Sequence, residues 1–351
     1  MANMAQAVRM ALHYAEENLG VTDIFGEDVG MPLGGVFTCT QGLKTTWNSP
    51  LDERGIVGMA MGIAMGGGKP VAEIQFCDYI FNTVDLLKLA GNSYWSSNGQ
   101  WNLPMVLMTP VGSGIRGSLY HSHSIDALVT HLPGWKIVMP SNPRDAYGLL
   151  LSACKETNPT MFLIPKALMR IKGEELIPGE PGDDKQLSKM IDAPLGDRTK
   201  WSAQWPELQD ASIPLGQAKV VREGSQITVV SYGRTLPLCA AAAQKLAGDG
   251  VDAEVIDLRT LWPYDWEAIK TSIEKTGRVL FVNEDTEVTN FGEHLVRRTV
   301  DELFFKLLAP PKLLAGKFLP GIGLADPLEM ASVPQSVDIE LAIRSLASVQ
   351  P

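Results

Sequence analysis

Short apolar runs alternate with helix-period stretches along most of this sequence, and that alternation restricts the fold more than any other feature. In the first part VTDIFGEDVG, KPVAEIQFCDY, LPMVLMTPV, WKIVMP and TMFLIPK read as strands. Between them lie helical patterns: MANMAQAVRMALHYAEENLG, a stretch from about Asp52, FNTVDLLKLAGNSYWSS ending near Asn98-Gly99, the run from Ile125 to His131, and PRDAYGLLLSACKET. Strands separated by helices pair through crossovers rather than hairpins, so the sheet must be mostly parallel with helices on both faces. The periodicity stops over residues 173–214, where Pro, Gly and charge predominate. It restarts with the strands SQITVVSY, VDAEVIDLR, GRVLFVNE and PPKLLAG, separated by helical patterns and closed by a helix near Val337 to Ala347. The expectation is an α/β protein: a parallel-sheet domain over 1–172, an extended linker or interface arm over 173–214, and a smaller α/β domain over 215–351. Trp201 and Trp205 in the arm are expected to pack on this chain or on a partner.

Within this pattern the stretch from Ser49 to Tyr79 carries an acid at a helix mouth. Asp52, Glu53 and Arg54 are followed by fourteen uncharged residues in which Gly55, Gly58, Gly62 and Gly66 recur every three or four positions. That spacing lays the glycines along one helix face. Each interior glycine costs a helix about 1 kcal/mol against alanine, so four on one face point to another backbone approaching closely. A carboxylate opening such a helix is partly desolvated, which makes Glu53 the first candidate for chemistry. Glu27 and Asp28 arrive at the carboxyl end of the first strand, where Glu27 is either a cap or a site residue.

Composition narrows the class. A 45% apolar and 20% charged chain is globular, and a net charge of -10 argues against nucleic-acid binding. Cys39, Cys77, Cys154 and Cys239 are far apart and form no paired motif, which suits a reducing cytoplasm. The first residues lack the basic start and apolar run of a signal peptide, and the Gly-rich run from Ile56 to Gly68 is too short to span a bilayer. No membrane segment is expected.

Two apparent motifs fail on context. Gly66-Gly67-Gly68-Lys69 lacks the first glycine of a phosphate loop and has Pro70 where a metal-binding hydroxyl would stand. Gly248-Asp249-Gly250, with Asn283 downstream, resembles the signature that holds magnesium on thiamine diphosphate, but here it ends a helix and leads into a strand. His121, His123 and His131 lack a convincingly spaced fourth ligand, so zinc is a weaker reading than His121 as an acid, base or hydrogen-bond donor on a loop after a buried strand. His13 and His294 sit in helical patterns and read as structural.

Taken together, GEDVG at Gly26, SPLDERGIVGMAMG at Ser49, PVAEIQFCDYIF at Pro70, GIRGSLYHSHS at Gly114 and EVIDLRTLWPYD at Glu254 carry a resemblance. The chain resembles the beta subunit of the thiamine-diphosphate-dependent 2-oxoacid dehydrogenase decarboxylating component, the family of the pyruvate and branched-chain enzymes. The resemblance covers nearly all of it outside residues 173–214. It implies a pyrimidine-binding domain, then a transketolase-like C-terminal domain, in an α2β2 assembly whose alpha subunit holds the diphosphate and magnesium. It implies that Glu53 bonds the aminopyrimidine and promotes proton removal from the cofactor, with decarboxylation of a 2-oxoacid and acyl transfer to a lipoyl domain of the acyltransferase core. Glu27, Leu51, Asp52, Gln75 and Tyr79 are implied at the cofactor, Phe76, Cys77, Asp78 and Tyr79 beside the substrate, and His121 at the site mouth. The turn with Glu156 and Asn158 resembles a place where backbone oxygens of some members hold potassium.

The sequence also departs from the family. His123 stands where glutamine is usual, the interdomain stretch is longer, and KFLPGIGLADPLE lacks the usual aromatic, Pro-rich pattern before the last helix. Leu119-Tyr120-His121-Ser122 resembles branched-chain members more than pyruvate ones, which favours a substrate such as 3-methyl-2-oxobutanoate. Pyruvate or acetoin dehydrogenase subunits are the neighbouring alternatives. A non-catalytic assembly subunit is the alternative of another class, but it would lack the acid or the mouth histidine, and Glu53 and His121 are both present.

Overall fold

The computed structural model describes residues 1–349 apart from 195 and 199. The chain gathers into two compact units: one of residues 1–110, 132–164 and 168–215, the other of residues 111–131, 165–167 and 216–351.

In the first unit the strands are β1 (Asp23–Gly26), β2 (Thr46–Asn48), β3 (Pro70–Glu73), β4 (Val106–Val111), β5 (Lys136–Val138) and β6 (Thr160–Pro165). They lie in the order β5-β6-β4-β3-β1-β2. The pairs β1–β2, β1–β3, β3–β4 and β5–β6 are parallel, as the alternation requires. Every residue of β3, β4 and β6 is buried, which is why they read as unbroken apolar runs rather than alternating ones. The helices are α1 (Met4–Asn18), α2 (Glu53–Met65), α3 (Val84–Ser96), α4 (Asp126–Thr130, in the second unit), α5 (Pro143–Lys155) and α6 (Asp184–Ile191). A reciprocal cap between Asn3 and Gln6 starts α1, and Asn142 with Pro143 starts α5. The buried faces of α1 and α5 join one apolar cluster.

The expected strand KPVAEIQFCDY is only half strand. It ends at Glu73, and Cys77–Thr83 turns into a 3-10 helix that leads into α3. The aperiodic stretch contains a helix, α6, too short to show a period in the sequence, and it is part of the first unit. The buried Arg9 of α1 donates to Ile191 O at 2.6 Å and to Asp192 at 2.9 Å, while Tyr147 donates to Gln209 O at 2.8 Å. Trp205 stacks on His13 at 4.1 Å, and Trp201 lies against Gly42.

The second unit is built on β7 (Lys219–Arg222), β8 (Ile227–Ser231), β9 (Ala253–Asp257), β11 (Val279–Thr286) and β12 (Lys312–Gly316), with a short strand β10 (Thr260–Trp262). The sheet order is β12-β11-β8-β9-β7, parallel except for β7, which runs antiparallel on β9. Helices α7 (Thr235–Ala247), α8 (Trp266–Thr276), α9 (Phe291–Leu303), α10 (Asp326–Ser332) and α11 (Ser336–Ala347) complete it. Among the described residues, no helix is long and apolar enough to cross a membrane.

Candidate active site

The carboxyl ends of β1 and β3 and the mouth of α2 bring a set of polar groups together in the first unit. Gly26 ends β1 opposite Glu73, and a Cβ on it would overlap the Glu73 carbonyl oxygen, so glycine lets the two strand ends pair. The chain then places Glu27 and turns at Asp28, whose φ of 58° is left-handed. Glu27 is half-buried, and its Oε1 is enclosed with no hydrogen-bond partner. Burial first, then the charges of Glu53 and Asp28, raise its carboxyl above the usual range, against a hydrogen bond from the Asp52 backbone N–H. Glu53, the first residue of α2, accepts from Asn82 Nδ2 at 3.3 Å. Gln75 Nε2 donates to Glu27 O and to Asp28 Oδ2, both at 3.2 Å. Tyr79 stands edge-to-face on Phe76, with ring centroids 5.8 Å apart. Burial, with the charges of Asp78, Glu53 and Glu27, raises its hydroxyl.

Glu27, Glu53, Gln75 and Tyr79 thus form one group, with Phe76, Cys77 and Asp78 on the adjoining turn. Asp52 caps α2 by backbone only, and Leu51 is 82% exposed. Two carboxyl groups, one of them holding its proton more tightly, suit a flat heteroaromatic ring that offers nitrogen donors and acceptors. The enclosed Glu27 oxygen is the atom that such a ring would satisfy.

His121 belongs to the second unit, on the loop after β4. Its Nδ1 lies 3.1 Å from Gly117 O, which selects the Nδ1–H tautomer when the ring is neutral. Behind the loop, Glu284 Oε2 accepts from Ser113 N and Oγ at 3.1 and 2.9 Å and from Arg234 Nε at 2.7 Å. Nearby, Asp126 and Asp285 are buried. Burial, reinforced by the charge of Asp285, raises Asp126 well above the carboxylate range. Burial lifts Asp285 to about 6 despite N–H donors from Ala127 and Thr286 at 2.9 and 2.8 Å. His123 is close enough to oppose that rise. Neither this acidic group nor Arg234 was singled out from sequence. The run NEDTE at the end of a strand, where ligands collect in parallel sheets, was the available signal.

The remaining candidates have local partners. Glu156 pairs with Lys136, while the turn's backbone oxygens at Thr157 and Asn158 accept from Leu103 N and Thr160 Oγ1. Gly66 caps the end of α2, and Lys69 donates to Leu19 O, so that stretch closes a helix instead of opening one. Gly248 caps α7, Asp249 pairs with Arg344, and Asn283 exchanges hydrogen bonds with Asn290. Among the described residues, the histidine–carboxylate group with metal-like spacing is His13, Glu16 and Glu17, and not the three loop histidines. There Glu16 already accepts from Lys44 N, Thr45 N and Thr45 Oγ1, and Glu17 pairs with Lys44. His294 accepts or donates with Tyr264 at 2.7 Å.

Parallel strands that deliver carboxylates to the mouth of a helix, followed by a second α/β unit, define a two-unit α/β protein with its candidate site at the strand ends. The transketolase pyrimidine-binding domain matches residues 1–172, and the transketolase C-terminal domain matches residues 216–339. A split-gene transketolase, described as an inactive beta4 tetramer, shares the fold at a TM-score of 0.73 and 17% identity over 100% of both chains. The 2-oxoisovalerate dehydrogenase subunit beta of Bacillus subtilis (strain 168) is 37% identical over 97% of each chain. The pyruvate dehydrogenase E1 component subunit beta of Acholeplasma laidlawii is 34% identical over 99% of this chain and 98% of its own. The chain belongs to the family of thiamine-diphosphate-dependent 2-oxoacid dehydrogenase beta subunits.

Proposed function

We propose that this chain is the beta subunit of a branched-chain 2-oxoacid dehydrogenase decarboxylating component, acting with an alpha subunit in an α2β2 assembly and passing the acyl group to a lipoyl domain. The observation that carries this reading is the Glu27–Glu53–Gln75–Tyr79 group, with its enclosed, partnerless Glu27 oxygen at the mouth of α2. Residues 1–172 then serve as the pyrimidine-binding domain, 173–214 as an arm, and 215–351 as the C-terminal domain. Thiamine diphosphate supplies the electron sink for decarboxylation when bound. Glu53 would hold a proton against the aminopyrimidine ring nitrogen, and Glu27 and Gln75 would orient that ring. Tyr79 would offer its aromatic face or edge, with Leu51 and Asp52 bordering it. Phe76, Cys77 and Asp78 would flank the 2-oxoacid, and His121 would hold or deliver a proton during acyl transfer.

The alpha subunit would hold the diphosphate and magnesium, which is consistent with Asp249 being paired to Arg344. A monovalent cation at the Glu156–Asn158 turn would rest on backbone carbonyls, since Lys136 already takes the Glu156 carboxylate. Similarity to 2-oxoisovalerate enzymes at 37% and to a pyruvate enzyme at 34% favours the branched-chain substrate only slightly. The test is reconstitution with the cognate alpha subunit and a panel of 3-methyl-2-oxobutanoate, pyruvate and acetoin. The first should give the highest kcat/KM, and a preference for pyruvate or acetoin would overturn the substrate assignment. Glu53→Gln should lose about two orders of magnitude in kcat, the scale on which general acid–base groups act. Full activity in that variant would remove Glu53 from the mechanism.

A further inference from the structure

The stretch before the last helix, which departs from the family pattern, closes on the loop that carries His121. Glu329, on α10, is 5% exposed. Its Oε1 accepts the backbone N–H of Gly114 at 2.8 Å and of Arg116 at 3.2 Å, and its Oε2 also lies 3.2 Å from the Arg116 N–H. The Arg116 side chain returns to the same helix, with Nη2 donating to Asp326 Oδ2 at 2.7 Å and Nε donating to Oδ1. Gly321 is packed so closely on Leu119 that a Cβ there would overlap its side chain. Three contacts from one short stretch therefore hold Gly114, Arg116 and Leu119.

The loop needs such support. Arg116 and Ser118 have φ of 57° and 61°, a left-handed conformation that non-glycine residues adopt at a cost of about 1 kcal/mol or more each. Between them Gly117 presents the carbonyl oxygen on which His121 Nδ1 rests at 3.1 Å. A Cβ on Gly117 would lie 2.6 Å from His121 Cβ, so loop backbone and histidine are in direct contact. Moving the Gly114–Arg116 backbone moves the oxygen that fixes the tautomer and direction of the ring.

We propose that α10 is a clamp that sets His121 for the reaction, with Glu329 and Asp326 as positioning residues acting through the Gly114–Ser118 backbone. This rests on the role given to His121 above. Because displacements of about 1 Å can cost a factor of 10² in rate, the effect should appear in kcat. In the reconstituted enzyme, measured by acyl transfer to a lipoyl domain, Glu329→Ala should lower kcat by about tenfold or more while KM for the 2-oxoacid stays within about threefold. Glu329→Gln keeps one acceptor oxygen and should restore most of the loss. In a His121→Ala background, Glu329→Ala should change kcat by less than about twofold, since the group that it positions is gone.

A slow His121→Ala enzyme that Glu329→Ala slows again by the same factor overturns the clamp alone. A His121→Ala enzyme as fast as wild type overturns the role of His121 and the clamp with it. If Glu329→Ala does not assemble, the exposed ion pair decides: Arg116→Asp and Asp326→Arg should each lower kcat, and together restore it. Equal activity in all three, or no restoration in a folded double variant, overturns the proposal.

Discussion

Glu73 closes β3 wholly enclosed, and burial alone pushes its carboxyl up to about 7. The folded state therefore binds this proton more tightly than the unfolded chain, whose glutamate titrates near 4.5. Its contribution to stability is full below about pH 4.5 and is lost as pH rises through about 7. Glu73→Gln should leave the thermal midpoint little changed at pH 5 and raise it at pH 8, where the variant is more stable than wild type by on the order of 3 kcal/mol at most. Equal midpoints of the variant and wild type at pH 8, followed by calorimetry, would show that the carboxylate has found solvation. Nothing in AEIQF separates this glutamate from a solvent-facing one, because alternation in a strand of a parallel sheet does not report which face is wet. Glu53 was legible for the opposite reason. It stands at a helix mouth ahead of an uncharged run, and that position has a chemical meaning before any fold is known. Glu27 was only half legible: its strand-end position could be read, but not its enclosed, partnerless oxygen.

The elements with strong periodicity were legible and those defined by tertiary contact were not. β8, the buried ITVVS, and α9, with its apolar face, could be read directly. α6 and α10 are eight and seven residues long, too short for a reliable period, and are held by contacts such as Arg9 to Ile191 and Glu329 to the His121 loop. The end of β4 shows how such contacts set an element boundary. Gly112, at φ 88°, meets Glu284 so closely that a Cβ would overlap its Oε1. Glu284 cannot withdraw, because Arg234 Nε and Ser113 hold its other oxygen and it is nearly enclosed. Gly112→Ala combines a disfavoured φ with displacement of a buried ion pair, so denaturant unfolding should show a loss of roughly 2–4 kcal/mol. Gly250→Ala, at φ 80° with nothing within 4 Å, serves as the control and should cost about 1 kcal/mol.

At the scale of the whole molecule, the glycine face of α2 has no partner backbone within the described residues. A Cβ on Gly62 would meet nothing within 4 Å, and one on Gly58 would only touch Leu86 at 3.8 Å. The close packing that the spacing implies is therefore not made inside this chain, while Met65 and Phe81 nearby are 61% and 62% exposed. Glycines that lower helix propensity without serving their own fold make sense if another subunit lies on them, and the alpha subunit is the partner proposed for this chain. Two substitutions separate intrinsic stability from assembly. Gly62→Ala should stabilise the isolated chain by roughly 0.5–1 kcal/mol, because it removes backbone entropy from a helix interior and adds no clash. Gly62→Leu should leave the isolated chain folded, since the space above it is open. Sedimentation of each variant mixed with the alpha subunit should then show Gly62→Leu failing to form the heterotetramer at concentrations where wild type is fully assembled. Normal assembly of the leucine variant would place the alpha subunit elsewhere and leave Gly58 and Gly62 without a role, since Gly66 caps α2 and Gly55 has no room for a Cβ beside Asp52.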